Sequence, residues 1–364
     1  MTPPTRRRTT NSGAPSRDRT DSGRSKPETR GRTATGGGDP LAPITEALAE
    51  GATRLAIPDG VAIVLAVSGG PDSTALLHGA AKLAASRGWL LTVAHLDHAL
   101  RDGSADEAAA VAAAAVRLEL PVQVRRTDVA ALAAAEHRSL EDAGRQARYR
   151  FLEEVAAVRG QDALIATAHT EDDAAETILL RLARGSGLRG LRGIPARRGR
   201  IVRPLLHARR AALRSALDAA GIPYATDATN ADLAHARNRV RGELLPALER
   251  LNPAAVEALA RFGRLAADDD DLLDALAAAE LATRRDAADA ADVADAPDEP
   301  IDWHNPPVRA LGRRVMRLAL GDPTPSAERI EALLDAAEGA RGGITIEMGG
   351  GRLASVRERR VHID

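Results

Sequence analysis

From residue 61 to residue 220 the chain alternates between short apolar runs and apolar positions at helical spacing. The short runs predict strands over 61–67, 90–96, 122–129, 163–169 and 201–206. The helical spacing predicts helices over 72–86, 104–118, 139–158, 172–184 and 208–220. Apolar strands that alternate with helices are typical of a parallel sheet covered on both faces. The predicted fold class is therefore α/β, with a doubly wound, Rossmann-like parallel sheet.

The flanking regions follow other patterns. Residues 1–40 mix Thr, Ser, Arg, Gly and Pro without hydrophobic periodicity, which predicts a disordered basic tail, and a helix is predicted over 41–55. The region after 255 has an acidic, Ala-rich stretch around Asp268 to Asp271, typical of a solvated helix, then two predicted helices and a terminal β-hairpin. We predict a tail (1–40), an α/β domain (41–245) and a small, mostly helical accessory domain (246–364).

The segment Ser68 to Ser73 joins the first predicted strand to a helix and is typical of a phosphate-binding loop. Gly69 and Gly70 let the backbone come close to an anion, Pro71 suits a first helical turn, and the N–H groups there attract negative charge. A Walker-type nucleotide loop would need a Lys before the Ser or Thr, and a dinucleotide-binding loop would need the pattern G-x-G-x-x-G. The segment has neither feature, so both of these loop types are excluded. A Gly-Pro turn with Ser and Asp as helix caps is the simpler alternative.

Asp72 stands where a phosphate-binding Lys would be expected. A carboxylate tolerates a nearby phosphate only if a divalent cation lies between them, which predicts Mg²⁺ and ATP bound through its pyrophosphate. The predicted ATP ligands are Ser68, Gly69, Gly70, Pro71, Asp72 and Ser73, with Asp72 also a ligand of Mg²⁺. The loop resembles the PP-loop, SGGxDS, of the ATP pyrophosphatases. That resemblance implies cleavage of ATP between the α and β phosphates and adenylation of a substrate oxygen, after which a nitrogen or sulfur nucleophile displaces AMP.

Two further polar clusters follow predicted strands. His95 to Arg101, HLDHALR, has no standard zinc spacing, and a loop that borders adenine, with Arg101 available for phosphate or RNA, is the better interpretation. In the second cluster Asp173 and Glu176 share one helix face, so their carboxylates could hold the ammonium group of an amine substrate. A capping box from Thr170 to Asp173 is the local alternative for part of this cluster.

Composition narrows the chemistry. The chain has 364 residues, enough for about two domains, and no cysteine, which excludes disulfides and thiolate metal sites. Sulfur transfer and cysteine-dependent ammonia release are also unavailable within the chain, which favours a free amine as the nucleophile. No apolar run approaches a membrane span, so we expect a cytoplasmic protein with no membrane partner.

Residues 1–39 hold nine basic and four acidic residues, whereas the whole chain has a net charge of −1. This basic extension could contact RNA, although its Arg and Ser content also loosely resembles a transit peptide.

Several segments in the same order resemble the tRNA(Ile)-lysidine synthetase family over about 60–255. They are HLDHALR, TAHTEDDAAET, RLARGSGLRGL, RPLL at 203–206, and the runs 227–230 and 237–241. The resemblance implies a ligase that uses ATP and free lysine to convert the wobble cytidine of an isoleucine tRNA with a CAU anticodon into lysidine. It implies catalytic roles for Asp72, Asp173 and Glu176, with the lysine amine on Asp173 and Glu176.

Six arginines are predicted to contact tRNA or phosphate. Arg101 lies in the HLDHALR segment, and Arg184, Arg189 and Arg192 lie in the Arg- and Gly-rich run 181–193, which predicts a flexible cationic loop suited to contact with a polyanion. The resemblance adds Arg145 and Arg148, with Tyr149, on a helix that would face the site. A solvated helix face is the alternative for Arg145 and Arg148. Another PP-loop enzyme, such as a tRNA thiolase, and a non-catalytic ATP-binding module remain alternative functions, and a homodimer remains a possible assembly.

Overall fold

The computed structural model describes residues 38–100, 103–225, 236–289, 300–322, 324–339 and 343–363. Within these residues the first sheet has six strands in the order β3-β2-β1-β4-β6-β5. All neighbours are parallel except β5 and β6. The strands are β1 (Ala62–Ala66), β2 (Leu90–Asp97), β3 (Val122–Arg126), β4 (Leu164–Ala166), β5 (Arg197–Arg198) and β6 (Ile201–Val202).

Helices cover both faces of this sheet. They are α1 (Ala42–Arg54), α2 (Pro71–Arg87), α3 (Ser104–Arg117), α4 (Val129–Ala135), α5 (Leu140–Arg159), α6 (Glu171–Ala183), α7 (Leu188–Leu191) and α8 (Arg210–Ala219). Leu65 of β1 packs in one core with α1, α2 and α8, whereas its neighbour Val64 packs in another core with Phe151 and Leu152 of α5. Successive side chains of a strand point to opposite faces, so each face needs its own apolar cover. The predicted doubly wound α/β class is confirmed.

The predicted strand over 122–129 ends early, at Arg126. Asp128 accepts a hydrogen bond from the backbone N–H of Ala131 at 2.9 Å and so starts α4, a helix that the sequence analysis did not predict. A seven-residue Ala-rich helix shows little periodicity, and the N-cap Asp was its clearest signal.

A second part of the fold follows the sheet. Its helices are α9 (Ala236–Arg239), a π-helical turn (Val240–Leu244), α10 (Leu245–Leu251), α11 (Ala255–Asp289), α12 (Arg309–Leu320) and α13 (Ala327–Glu338). Its strands are β7 (Ile301–Asp302), β8 (Ile344–Gly349), β9 (Arg352–Arg357) and β10 (Arg360–Ile363), antiparallel in the order β7-β10-β9-β8. The predicted terminal hairpin corresponds to β8 and β9, and β10 and β7 extend it into a sheet. Trp303, fully buried, lies in the core between this sheet and its helices.

Helix α11 packs against both parts. Its Ala260 lies with Ala174 and Leu206 beside the first sheet, and its Ala277 lies in the core of the second. The prediction of a solvated helix is wrong for Asp270, which is 0 % exposed and ion-paired at both carboxylate oxygens.

Residues 40–364 group as one compact unit, so the boundary at 245 stays a prediction. The predicted tail lies almost wholly outside the described residues, and none of the described helices is long and apolar enough to cross a membrane.

Candidate active site

The site lies where the strand order of the first sheet reverses. Strand β1 has β2 on one side and β4 on the other, because the chain crosses back over β1 after β3. In open parallel sheets the loops at the carboxyl ends of two such strands part, and they leave a crevice for a ligand. Here the loop after β1 is Ser68 to Gly70, and the loop after β4 leads to Thr170 and α6.

The loop after β1 has the conformation that the glycines predict. Gly69 has φ +92°, a backbone conformation that side-chain-bearing residues rarely adopt, and Pro71 begins α2. The buried Ser73 hydroxyl donates to the Gly70 carbonyl at 2.9 Å and accepts from the Ser68 N–H at 3.2 Å. These bonds hold the loop against the start of α2, whose first N–H groups have no acceptor within the helix. The loop can therefore present several N–H groups to a phosphate.

Asp72 lies on the first turn of α2 with its two carboxylate oxygens in different environments. Oδ2 accepts from Arg210 Nε at 2.9 Å, whereas Oδ1 is buried and has no hydrogen-bond partner among the described residues. Burial raises the pKa of Asp72, although Arg210 opposes that shift. A buried carboxylate oxygen without a donor suits a cation ligand, so the residue fits Mg²⁺. The described residues contain no group of three His, Cys, Asp or Glu side chains that could hold a metal, so phosphate oxygens and water would supply the other ligands.

Asp173 and Glu176 lie on α6, across the crevice from the phosphate loop. Thr170 caps this helix, and its N–H and hydroxyl both donate to Asp173 Oδ2, at 2.9 and 2.8 Å. The capping box and the acid pair are therefore not alternatives, because Asp173 uses one oxygen for the cap and the other for the site. Burial raises the pKa of Asp173, but Arg210 and Arg237 outweigh it and hold that pKa at about 2. Glu176 is fully buried, and its pKa is also lowered, because the hydrogen bond from Arg241 and the charge of Arg210 outweigh burial.

Arginine guanidinium groups connect the acids. Arg210, at the start of α8, contacts Asp72, Asp173 Oδ1 and Glu176 Oε1 at 2.9, 2.9 and 3.0 Å. One side chain thus ties the phosphate loop to the acid pair. Its backbone N–H also donates to Asp172 Oδ2 at 2.8 Å, which fixes the start of α8 against α6.

Two more arginines come from the segment after residue 235. Arg237 donates from Nε to Glu176 Oε2 at 2.8 Å and from Nη2 to Asp173 Oδ1 at 3.0 Å. Arg241 donates from Nε and Nη2 to the two oxygens of Glu176, at 2.7 and 3.1 Å. The run 237–241 belongs to the family resemblance, but the sequence alone assigns no role to its arginines and none to Arg210. The four-residue spacing of Arg237 and Arg241 was the available signal, because it places two side chains on one helix face.

A cationic region borders the acid pair. The pKa of His169, which follows β4, falls to about 4 because burial and the nearby Arg203 and Arg148 outweigh the attraction of Asp173. Its Nδ1 lies 3.0 Å from the Thr167 hydroxyl. Burial likewise lowers the pKa of Arg148. The imidazole is therefore neutral at physiological pH, and the surroundings favour an anion.

The predicted tRNA contacts lie in several different places. Arg145 and Arg148 lie over the Tyr149 ring, at 5.0 and 5.5 Å from its centroid. Arg192 is ion-paired with Asp270 and Asp271 at 2.9 and 2.8 Å. Arg189 lies 3.8 Å from Asp274, and the exposed Arg184 is the C-cap residue of α6. Arg101 lies outside the described residues. The RNA roles of these residues stay predictions.

Comparison with known proteins identifies the family. Residues 45–248 match the model of the PP-loop domain. The chain is 46% identical over 248 residues to a tRNA(Ile)-lysidine synthase of Salinispora tropica, a match that covers 66% of this chain and 72% of that protein. It is also 46% identical over 229 residues to a tRNA(Ile)-lysidine synthase of Geobacter sulfurreducens, which covers 62% of this chain but only 48% of that longer protein.

A solved structure shows the same fold at low sequence identity. It is the U34-tRNA thiolase NcsA of Methanococcus maripaludis, with a TM-score of 0.52 and 13% identity over 61% of this chain and 79% of that one. At that identity the likeness supports the fold alone. With its phosphate loop, its acid pair and these sequence matches, the chain belongs to the tRNA(Ile)-lysidine synthase family of PP-loop proteins.

Proposed function

We propose that the protein uses ATP to join free L-lysine to C2 of the wobble cytidine, position 34, of tRNA(Ile) with a CAU anticodon. The products are lysidine, AMP and diphosphate. The observation that carries this proposal is the Arg210 guanidinium, which holds the phosphate-loop acid Asp72 and the acid pair Asp173 and Glu176 in one site. An enzyme of this type needs its nucleotide and its amine side by side, since the amine attacks the atom that ATP activates.

In the first step the C2 oxygen of cytidine attacks the α-phosphorus of ATP, and diphosphate leaves. The N–H groups at the start of α2 bind the phosphates and stabilise the charge that develops on the leaving group. Asp72 would hold Mg²⁺ through its free oxygen, Oδ1, and the ion would neutralise phosphate charge. An ion between Asp72 and the phosphates would explain why a carboxylate lies at a position where phosphate charge would otherwise repel it.

In the second step the lysine ε-amine attacks C2, the bond between C2 and the activated oxygen breaks, and AMP leaves. Asp173 and Glu176 attract the amine as its ammonium ion and orient it toward C2. Before the attack, the bound ammonium gives up a proton to water or to a base, because only the neutral amine has the electron pair that forms the new bond. The neutral His169 beside the pair adds no positive charge to oppose the arriving lysine.

Two features support this function over its alternatives. A tRNA thiolase needs a source of sulfur, and the chain has no cysteine. A non-catalytic ATP-binding module would explain the phosphate loop but not the buried acid pair facing it. The substrate lysine, a cytoplasmic location and a homodimer belong to the proposal as expectations.

The test is incorporation of labelled lysine into an isoleucine tRNA transcript with a CAU anticodon, using full-length protein, ATP and Mg²⁺. We expect incorporation that Asp173→Ala abolishes and that a transcript with uridine at position 34 does not support. If well-folded protein that binds ATP incorporates no lysine, the proposal is wrong. Thiolation of the transcript in the presence of a sulfur donor would instead support the thiolase alternative.

A further inference from the structure

The acid pair proposed for lysine is already saturated with hydrogen bonds from within the chain. Glu176 Oε1 accepts from Arg210 and Arg241, and Oε2 accepts from Arg237 and Arg241. Asp173 Oδ1 is contacted by Arg210 and Arg237, and its Oδ2 belongs to the capping box. An arriving ammonium group has three N–H donors that need acceptors. It therefore cannot be added to this pair without the loss of an existing contact.

The charge balance of the site leads to the same conclusion. Three carboxylates, Asp72, Asp173 and Glu176, face three guanidinium groups. All three guanidinium groups also contact Asp173 or Glu176, so a further cation on that pair would add to an existing excess of positive charge, which is costly away from water. Exchange of one cation for another keeps the balance.

The three arginines differ in how firmly they are held. The exposed fraction of the side chain is 16 % for Arg210, 33 % for Arg241 and 42 % for Arg237. Arg210 is also anchored to Asp72, and Arg241 donates to both oxygens of Glu176 and lies 3.7 Å from Asp173 Oδ1. Arg237 is the most exposed of the three, and it bridges Asp173 and Glu176 as a bound ammonium group would.

We propose that Arg237 is an exchangeable counter-ion that occupies the lysine-ammonium position on the Asp173 and Glu176 pair and is displaced when lysine binds. Arg210 and Arg241 stay in place and keep the two acids ionised and aligned. Arg237 is thus a specificity-determining residue, since only a ligand whose cation competes with a guanidinium group can enter. This inference rests on the proposed function, which assigns the lysine amine to the same pair.

The experiment measures binding of labelled lysine to the full chain by equilibrium dialysis, with a non-hydrolysable ATP analogue and Mg²⁺ present. We expect Arg237→Gln to tighten lysine binding about fivefold, because removal of a competing, partly exposed ion pair is worth about that factor. Arg239→Gln is the matched control, because Arg239 lies on the same helix and is exposed. It should leave the affinity unchanged, whereas Glu176→Gln should weaken binding at least about tenfold.

The outcomes separate the inference from the function on which it rests. If Glu176→Gln weakens binding but Arg237→Gln does not tighten it, the exchange is wrong and the assignment of lysine to the pair stands. If Glu176→Gln leaves binding unchanged, the assignment itself is wrong. A second measurement uses the unmodified protein and follows the rate of backbone hydrogen exchange with and without lysine. Lysine should speed exchange over 236–244, and unchanged exchange in lysine-saturated protein would overturn the proposal.

Discussion

At the residue scale, Asp72 has a buried oxygen for a cation and a second oxygen held by Arg210. We predict that Asp72→Asn lowers the turnover number at least about 100-fold, because an amide lacks the charge that would bind Mg²⁺ yet keeps the size of the side chain. Diphosphate release measured against Mg²⁺ concentration checks this. Asp59→Asn is the control, since Asp59 is exposed and pairs with Arg87 away from the site. Equal Mg²⁺ dependence in both variants would contradict the assignment.

His169 makes a prediction about pH. Its pKa is about 4 in the folded protein, against 6.5 for an ordinary histidine, mainly because it is buried. Between these values the unfolded chain takes up a proton that the folded protein does not, so the free energy of unfolding falls as the pH is lowered from 6.5 to 4. The loss attributable to His169 is up to about 3 kcal/mol.

Urea unfolding at several pH values, compared with His169→Gln, isolates this contribution. The variant should lose less stability than the unmodified protein over the same pH window, because it has no imidazole to protonate. Parallel pH profiles for the two proteins would show that His169 does not carry the effect. The comparison is needed because burial also lowers the pKa of His78, His98 and His207.

Local sequence patterns predicted the phosphate loop and the acid pair of the candidate site, but not its arginines. The phosphate loop and the pair Asp173 and Glu176 each lie within one short segment, so strand-to-helix position and helical spacing were enough to single them out. The arginines that complete the site come from two distant segments, and only the folded chain brings them to α6. Nothing in the sequence separates Arg210 from the other Arg and Lys residues, which number 50 in total.

At the element scale, the long, periodic segments were predictable, whereas two of the three two-residue strands were not, and the third, β6, is shorter than the strand predicted over 201–206. The helix predicted over 139–158 is α5, Leu140–Arg159, and the strand predicted over 90–96 is β2, Leu90–Asp97. Strands β5 and β7 have two residues each, too few to show a period of two. Pairing with a neighbouring strand defines them, and that is a property of the tertiary structure.

Helix α11 gives a prediction at this scale through Asp270. This buried carboxylate is ion-paired with Arg192, just after α7, at 2.9 Å and with Arg314 of α12 at 2.6 Å. We predict that Asp270→Ala lowers the free energy of unfolding by about 2 kcal/mol, because two partly buried guanidinium groups lose their shared buried carboxylate and keep only the more exposed Asp271 and Asp274. Asp271→Ala is the control and should cost less than about 1 kcal/mol, since that side chain is 65 % exposed. Equal losses in urea unfolding would mean that α11 does not depend on the buried pair.

At the scale of the whole molecule, charge is unevenly divided. Residues 1–39 hold nine basic and four acidic residues, yet the chain as a whole has a net charge of −1, so the remainder is acidic. An acidic body repels a polyanion such as tRNA at long range, while the basic extension attracts it. The attraction needs no defined structure, because it depends on charge and on the release of counter-ions.

We predict that a chain beginning at Pro40 binds the isoleucine tRNA about tenfold more weakly at 0.1 M salt, with a slope of log affinity against log salt that is shallower by about 2 to 4. Turnover at saturating tRNA should not change, because the candidate site lies wholly within residues 68–241. The matched control keeps the full length but replaces the nine basic residues of the extension with Gln, and it should behave like the shortened chain. If the shortened chain keeps the full salt dependence, the extension does not contact the RNA, and the basic residues after residue 39 must supply the attraction.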